Sequence, residues 1–361
     1  MAGCGGEGEI EVIEDLPPLF ARSNDIHIFY YAWYGNPATD GEYRHWDHEV
    51  ISPGGEVIGR YPGGDDIGAS FYPRAGCYSS NDPETVRRHM SQMRLTGCGV
   101  VCVSWWGRGS FSDRAVPLIL DQAARHGLRV NFHIEPFEGR NAEAVAGAIE
   151  YIVGRYGGHQ AFYRADRFGG LPMFYVYDSY LIPRDDWAGI LTPSGGRSIR
   201  KTPHDALVIG LLVDEDDGTD LLASGFDGLY TYFAADGFTW GSSAINWETI
   251  SHWAWDHDMI FVPCVGPGYD DTRIRPWNVR NRRLRDGGEY MKGIFALGLR
   301  ASTPFIGITS FNEWHEGTQI EPAIPKKIED FEYSDYSPMP PDFYLHKTRS
   351  LVQNLKYSLE R

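Results

Sequence analysis

The sequence is poor in several features, and each absence closes off a class of function. No run of about 18 apolar residues occurs, so nothing reads as a transmembrane helix. Residues 1–20 are rich in glycine and acid, with no basic n-region and no apolar h-region, so they do not read as a secretory signal. There are five cysteines, an odd count, and no CxxC pair. Cys98 and Cys102 lie on one apolar run and read as small buried hydrophobes rather than a disulfide or metal pair. Basic residues are outnumbered 33 to 49, for a net charge of −16. Such a surface disfavours nucleic acid and anionic membranes as partners and suits a neutral substrate. The dinucleotide, P-loop, HExxH and GxSxG signatures are all missing, so no cofactor and no metal are expected.

Aromatic residues are plentiful at 14%, with 11 Trp, 21 Tyr and 18 Phe. They serve core packing or, equally, stacking against sugar rings. What recurs along the chain is an apolar run followed by a helical pattern. The runs are 26–33, 99–105, 129–134, 172–177, 206–213, 228–233, 259–265 and 304–310. Helical patterns follow at about 83–95, 114–126, 142–156, 187–191, 219–223, 246–256, 288–299 and 344–359. The first of these is expected to start from Asn81 as N-cap, with Glu84 completing a capping box. Near-continuous apolar strands alternating with helices indicate a buried parallel sheet. Eight such units predict a closed (β/α)8 barrel, a single catalytic domain over 26–361 with extended βα loops, preceded by a flexible segment 1–25.

Active sites of such barrels lie past the C-terminal strand ends. Polar and aromatic clusters fall there: Tyr34 after the first strand, Trp105-Trp106 after the second, Glu135 after the third and Tyr177 after the fourth. Tyr232 ends the sixth strand, and Asn312-Glu313-Trp314-His315-Glu316 follows the eighth. Glycoside hydrolysis needs two carboxyl groups, one to protonate the leaving oxygen and one to act as base or nucleophile. Glu313 and Glu316, three apart on a turn, can share a face, and their mutual repulsion raises at least one pKa. Trp314 between them calls for burial, which is unlike a solvated surface turn. Glu135 reads as a contact to a substrate hydroxyl, and His133 as a strand histidine. Asp65-Asp66, in the long first loop, reads either as ordinary loop polarity or as further site acid.

The run Gly307–Glu321 (GITSFNEWHEGTQIE) resembles the signature of the endo-α-1,2-mannosidases, glycoside hydrolase family 99. FYYAWYGNP (29–37), HWDH (45–48), DDIGASFYP (65–73), FHIEPF (132–137), LPMFYVYDSY (171–180), SGFDGLYTYFA (224–234) and VGPGYDDTRIRPWN (265–278) resemble that family too. The resemblance runs over about 26–355 and implies a metal-free (β/α)8 barrel that cleaves an internal α-1,2-mannosidic bond with retention. It implies a mannose-containing oligosaccharide or N-glycan as substrate. Glu313 is then the base that deprotonates the sugar 2-hydroxyl, which attacks C1 to give a 1,2-anhydro sugar, and Glu316 the acid/base. Glu135, Tyr232 and Asn312 are implied sugar contacts, with Tyr34, Tyr177 and Trp106 beside them. The family further implies the Golgi lumen for a eukaryotic member and a periplasmic or secreted place for a bacterial one.

Two departures stand out. Vertebrate members read SWYPP after the second strand, where this chain has Ser104-Trp105-Trp106-Gly107. An indole N–H and an apolar face replace a tyrosine hydroxyl there, as in bacterial members that cut yeast-type mannan. Glucose and mannose both stay open at that subsite. The membrane anchor of the animal members is also missing. The rival readings are a bacterial-type mannanase with the same carboxylates, and a mannan-binding barrel without catalysis.

Overall fold

Each of the eight apolar runs forms a strand. The computed structural model of the protein describes residues 23–359. The strands are β1 (Ser23–Tyr31), β2 (Cys98–Trp105), β3 (Arg129–Ile134), β4 (Leu171–Val176), β5 (Leu207–Leu211), β6 (Gly228–Tyr230), β7 (Ile260–Val262, resuming at Cys264–Val265) and β8 (Ile306–Ile308). A helix of at least eight residues follows each: α1 (Pro83–Thr96), α2 (Phe111–Arg125), α3 (Ala142–Tyr156), α4 (Arg184–Leu191), α5 (Asp217–Ser224), α6 (Trp247–Asp256), α7 (Glu289–Arg300) and α8 (Phe343–Leu359). Of the expected flexible segment 1–25, residues 1–22 lie outside the described residues and 23–25 begin β1. Among the described residues no helix is long and apolar enough to cross a membrane.

All neighbouring barrel strands pair in parallel, in chain order, from β1–β2 round to β7–β8 and back through β8–β1. This is the (β/α)8 barrel that the alternation predicts. The ring closes through β7 in two halves. Ile260–Val262 pairs with β6, and Cys264–Val265 pairs with β8. Pro263 stands between them. It has no N–H to give either ladder, yet its carbonyl accepts from Gly307 N at 3.0 Å.

Side chains two apart on a strand point the same way, so each strand sends an inward row up the barrel. On β1 the row is His27, Phe29, Tyr31. On β3 and just past it the row is Asn131, His133, Glu135. Tyr175 and Tyr177 continue it from β4, and Tyr230 and Tyr232 from β6. His27 Nδ1 meets Tyr175 Oη at 2.7 Å near the bottom. One layer up, the Phe29 ring packs against His133, Tyr175 and Tyr230, with centroids 5.0, 5.4 and 6.0 Å away. Burial of such a ring contributes about 1.5–3 kcal/mol, and here it also sets the height of the polar residues above. The last inward residue of each row, at the C-terminal mouth, is polar.

Local signals explain the helix ends. Asp82, not Asn81, caps α1: its carboxylate accepts from Glu84 N at 3.4 Å and Thr85 N at 2.9 Å. Pro83 occupies the first helical position, which makes the residue before it the cap. Gly97 ends the helix at φ +82°, a left-handed conformation that glycine adopts without penalty. Ser110 and Asn141 cap α2 and α3 by accepting from Asp113 N and Ala144 N. Cys98 and Cys102 are buried and unbridged, as small hydrophobes on β2.

The first βα loop is long and carries its own hairpin, Glu49–Ile51 against Val57–Arg60. Tyr72–Pro73 of the same loop pairs with Ala323–Ile324 beyond β8. Asp65 and Asp66 form ion pairs with Lys326 and Arg273. They tie loops together and do not line the barrel mouth.

Candidate active site

A cleft of about 240 Å³ opens at the C-terminal mouth. Its lining includes Glu135, Glu313 and Glu316, with Trp106, Tyr177, Tyr232 and Arg275 around them. Six of the eight residues singled out in the sequence therefore meet in one place.

The turn after β8 holds the two glutamates. Trp314 is fully buried and anchors the turn: its indole N–H donates to Glu321 Oε2 at 3.0 Å and to Tyr78 Oη at 3.2 Å. Glu313 N donates to Ser310 Oγ at 2.7 Å. Gly317 closes the turn at φ +63°, and a Cβ there would meet the Asp270 backbone at 2.9–3.0 Å. Only glycine fits that close approach. Asp270 N in turn donates to the Glu316 carbonyl at 2.7 Å, which staples the loop after β7 to the turn of the two glutamates.

Glu313 is 3% exposed. Its Oε1 accepts from His315 N at 3.1 Å, while Oε2 has no hydrogen-bond partner among the described residues. Burial, reinforced by the charge of Glu316, pushes its carboxyl well above the usual range. Glu316 is raised to about 7, chiefly by burial, with Asp271 and Glu135 adding repulsion and Arg275 opposing. Arg275 Nη1 lies 3.9 Å from Glu316 Oε1 and 3.1 Å from Asp271 Oδ2. Tyr232 Oη donates to Glu316 Oε2 at 3.5 Å. A buried carboxyl and a half-buried one in a single cleft titrate as a pair, and this pair keeps a proton near neutrality.

Tyr232 is the hub between the two sides. Its hydroxyl is hydrogen-bonded to that of Tyr31, and Thr309 Oγ1 donates to its carbonyl at 2.7 Å. Its φ is +50°, an uncommon conformation for an aromatic residue and a cost that persists only where surroundings impose it. Opposite stands Glu135, whose Oε1 accepts from Ser104 Oγ at 2.7 Å. Trp106 Nε1 donates to the same Ser104 Oγ at 3.1 Å, so the indole N–H is spent inside the protein while the ring lines the cleft. His133, set aside as a strand histidine, does line the cleft: its Nδ1 is 3.1 Å from Glu135 Oε1, and its Nε2 is bonded to Tyr230 Oη at 2.7 Å.

Tyr34 and Asn312 are not on the cleft. Both are fully buried beneath the rim. Tyr34 Oη donates to the Asn312 carbonyl at 2.9 Å. The Asn312 side chain accepts from Tyr31 N at 2.8 Å and donates to the Tyr31 carbonyl at 2.9 Å. They lock the end of β1 to the start of the turn that carries Glu313 and Glu316.

The model of glycosyl hydrolase family 99 matches residues 21–357. This chain belongs to that family. It is 48% identical over 363 residues to the glycoprotein endo-alpha-1,2-mannosidase of Rattus norvegicus, covering 97% of this chain and 78% of the relative. It is 47% identical to a glycoprotein endo-alpha-1,2-mannosidase-like protein of Homo sapiens, over 92% of this chain and 76% of that one. The solved structure of the GH99 endo-alpha-mannosidase from Bacteroides thetaiotaomicron matches with a TM-score of 0.91 at 45% identity, covering 94% of this chain and 99% of that one. The chain is thus a glycoside hydrolase acting on a glycan, and the barrel is that of family 99.

The family 99 cleft also holds residues that the sequence reading did not assign: Tyr31, Trp33, His45, His48, Arg275 and His315. Tyr31 had a legible signal, since it is the next inward position after Phe29. Arg275 and the two histidines of HWDH sit inside quoted motifs, but on loops whose return path no periodicity encodes.

Proposed function

We propose that this chain is a retaining endo-α-1,2-mannosidase that cuts an internal α-1,2-mannosidic bond in Glc- or Man-capped high-mannose N-glycans. The observation that carries the reading is the Glu313–Glu316 pair lining a sugar-sized cleft, holding a proton near neutrality, with one Glu313 oxygen unpartnered among the described residues.

Glu313 acts as base on the mannose 2-hydroxyl. Donation from that hydroxyl to Oε2 favours the carboxylate form and leaves the pair's proton on Glu316. The 2-oxygen then attacks C1, the C1–glycosidic oxygen bond breaks, and Glu316 protonates the departing oxygen. A 1,2-anhydro sugar and a Glu316 carboxylate result. Glu316 next takes a proton from water, the water oxygen attacks C1, the C1–O2 bond opens, and Glu313 returns its proton to O2. Two inversions at C1 give overall retention. Glu135, Tyr232 and Tyr177 supply hydrogen bonds to the sugar, Tyr232 as a neutral donor because burial keeps its phenol protonated. Tyr34 and Asn312 position the turn.

A second reading, a bacterial-type endo-α-1,2-mannanase on yeast-type mannan, draws support from Trp106. With its N–H committed to Ser104, the ring has no donor for an equatorial 2-hydroxyl of glucose and suits the C–H face of mannose. N-glycan processing goes with a Golgi lumen, and mannan cleavage with a periplasmic or secreted enzyme.

The test is to incubate the protein with α-1,2-linked Glc1–3Man and Man1–3Man oligosaccharides and follow the released sugar by proton NMR. Release of intact disaccharide with the α-anomer formed first is expected. Exo-release of single mannose units, or an initial β-anomer, rules the reading out. The ratio of the two rates decides between the glycan and mannan substrates.

A further inference from the structure

Three histidines crowd one wall of the cleft. His45 and His48 come from the HWDH segment of the first loop, and His315 from the catalytic turn. One ligating nitrogen from each lies within 4.8 Å of the others. The ring centroids are 4.9 Å apart for His45–His315, 5.0 Å for His45–His48 and 4.6 Å for His48–His315. Neither nitrogen of the His315 ring has a hydrogen-bond partner among the described residues, although the residue is 1% exposed. A buried imidazole with two idle nitrogens is uncommon and calls for an explanation. His48 Nδ1 is tied to the Glu49 carbonyl at 2.6 Å. That contact fixes Nδ1 as the protonated nitrogen and leaves Nε2 with its lone pair free, the arrangement that orients metal-ligating histidines. His45 is held at φ +64°, left-handed for a non-glycine residue.

We infer that His45, His48 and His315 form a binding site for a borderline divalent cation such as Zn²⁺, and that its occupancy blocks hydrolysis. Three imidazoles suit Zn²⁺, Cu²⁺ or Ni²⁺ and not Mg²⁺ or Ca²⁺, which take oxygen ligands. Tetrahedral Zn–N bonds of about 2.0–2.1 Å put ligand nitrogens about 3.4 Å apart. The present spread of up to 4.8 Å means that the rings draw together on binding. Arg275 adds positive charge at both His48 and His315, opposed at His48 by Glu49 and Asp47, so a cation is held there by the three imidazole lone pairs. Glu313 Oε1 is 3.9 Å from His315 Nδ1. A cation on the three rings therefore sits beside the base and competes with the sugar 2-hydroxyl for its carboxylate. Sequence spacing hid this set, because His315 is distant in the chain from the other two.

The test uses Co²⁺ as a spectroscopic stand-in on chelator-treated protein, so it needs no turnover and is independent of the mannosidase reading. A tetrahedral d–d absorption that saturates at one Co²⁺ per chain and is displaced by Zn²⁺ but not Mg²⁺ is expected. It should persist in Glu316→Gln. It should weaken at least about tenfold in His48→Ala and in His45→Gln, the second variant guarding against misfolding of the first, with thermal melts to confirm both are folded. A wild-type spectrum with no tetrahedral band overturns the site, and so does an affinity unchanged in both folded histidine variants. For the inhibitory half, Zn²⁺ should suppress mannoside hydrolysis over the concentrations at which it displaces Co²⁺. Full activity at saturating Zn²⁺ refutes that half.

Discussion

Two buried glutamates on the same segment have opposite fates. Glu321 is 2% exposed and fully partnered: Oε1 is 3.0 Å from His89 Nε2, and Oε2 accepts from Tyr78 Oη at 2.7 Å and Trp314 Nε1 at 3.0 Å. Glu313, eight positions earlier and about as buried, has one backbone N–H on one oxygen and, among the described residues, no partner on the other. Both lie beyond β8, and the turn that Trp314 anchors joins them. The difference teaches how a buried carboxylate is assigned to structure or to chemistry. Complete hydrogen bonding holds a fold together, whereas an unsatisfied oxygen facing a cleft is stabilisation left for the substrate to supply.

The widest separation between the two comes from activity. Glu316→Gln and Glu313→Gln should each lower kcat/KM on an α-1,2-mannosyl oligosaccharide by about 10³-fold, the scale of a lost general acid or base. Glu321→Gln should keep kcat of the folded protein within about tenfold. A dead but folded Glu321→Gln would erase the distinction.

Stability should run the other way, with a smaller effect. Glu321→Gln sets an amide NH₂ against surrounding donors and should cost about 2–4 kcal/mol, seen as a lower melting temperature. Glu316→Gln should raise the melting temperature, more at pH 8 than at pH 5. The sign follows from its folded pKa of about 7, above the ordinary carboxyl value. Between those values the folded protein holds a proton that the unfolded chain releases, so stability falls as pH rises through that window, and glutamine escapes the loss.

A third, finer effect concerns Arg275. The wild-type pH profile should lose activity on its alkaline side at about pH 7, as Glu316 gives up its proton. Arg275 opposes the raised pKa, so Arg275→Met should move that limb upward by about one unit or less. An unmoved limb would assign the proton to another group. The smallest effect is expected from Trp106→Tyr. Restoring a hydroxyl should shift the Glc1–3Man to Man1–3Man rate ratio toward glucose by about tenfold or less, read in a side-by-side hydrolysis assay.

Why some of this was legible in the sequence and some was not has a physical basis. Strands buried on both faces are largely apolar, so GVVCVSW (99–105) and ALVIGLLV (206–213) declare themselves, and a buried parallel strand fixes where the rim falls. Glu135, Glu313 and Glu316 were found because they stand just past such runs. Tyr34 and Asn312 stand there too, but a rim needs supports as well as contacts, and chain position alone does not separate the two. The α1 cap went to Asp82 because Pro83 can only occupy the first turn, a local rule that outranks the Asn81–Glu84 spacing. The His45–His48–His315 wall and Arg275 depend on how long loops fold back, which neither a period of two nor one of 3.6 records.

The break at Pro263 bears on this last group. A ring of strands has no free edge, but this one has a seam, where the ladder changes partner from β6 to β8 across a residue with no amide proton. Opening is cheapest where the fewest ladder bonds must part. Directly above that seam rises the loop with Asp271 and Arg275, whose charges tune Glu316. The part of the cleft that bears on the proton affinity of Glu316 therefore stands on the strand divided by that seam, while the two glutamates sit on a turn that Ser310, Trp314 and Gly317 clamp.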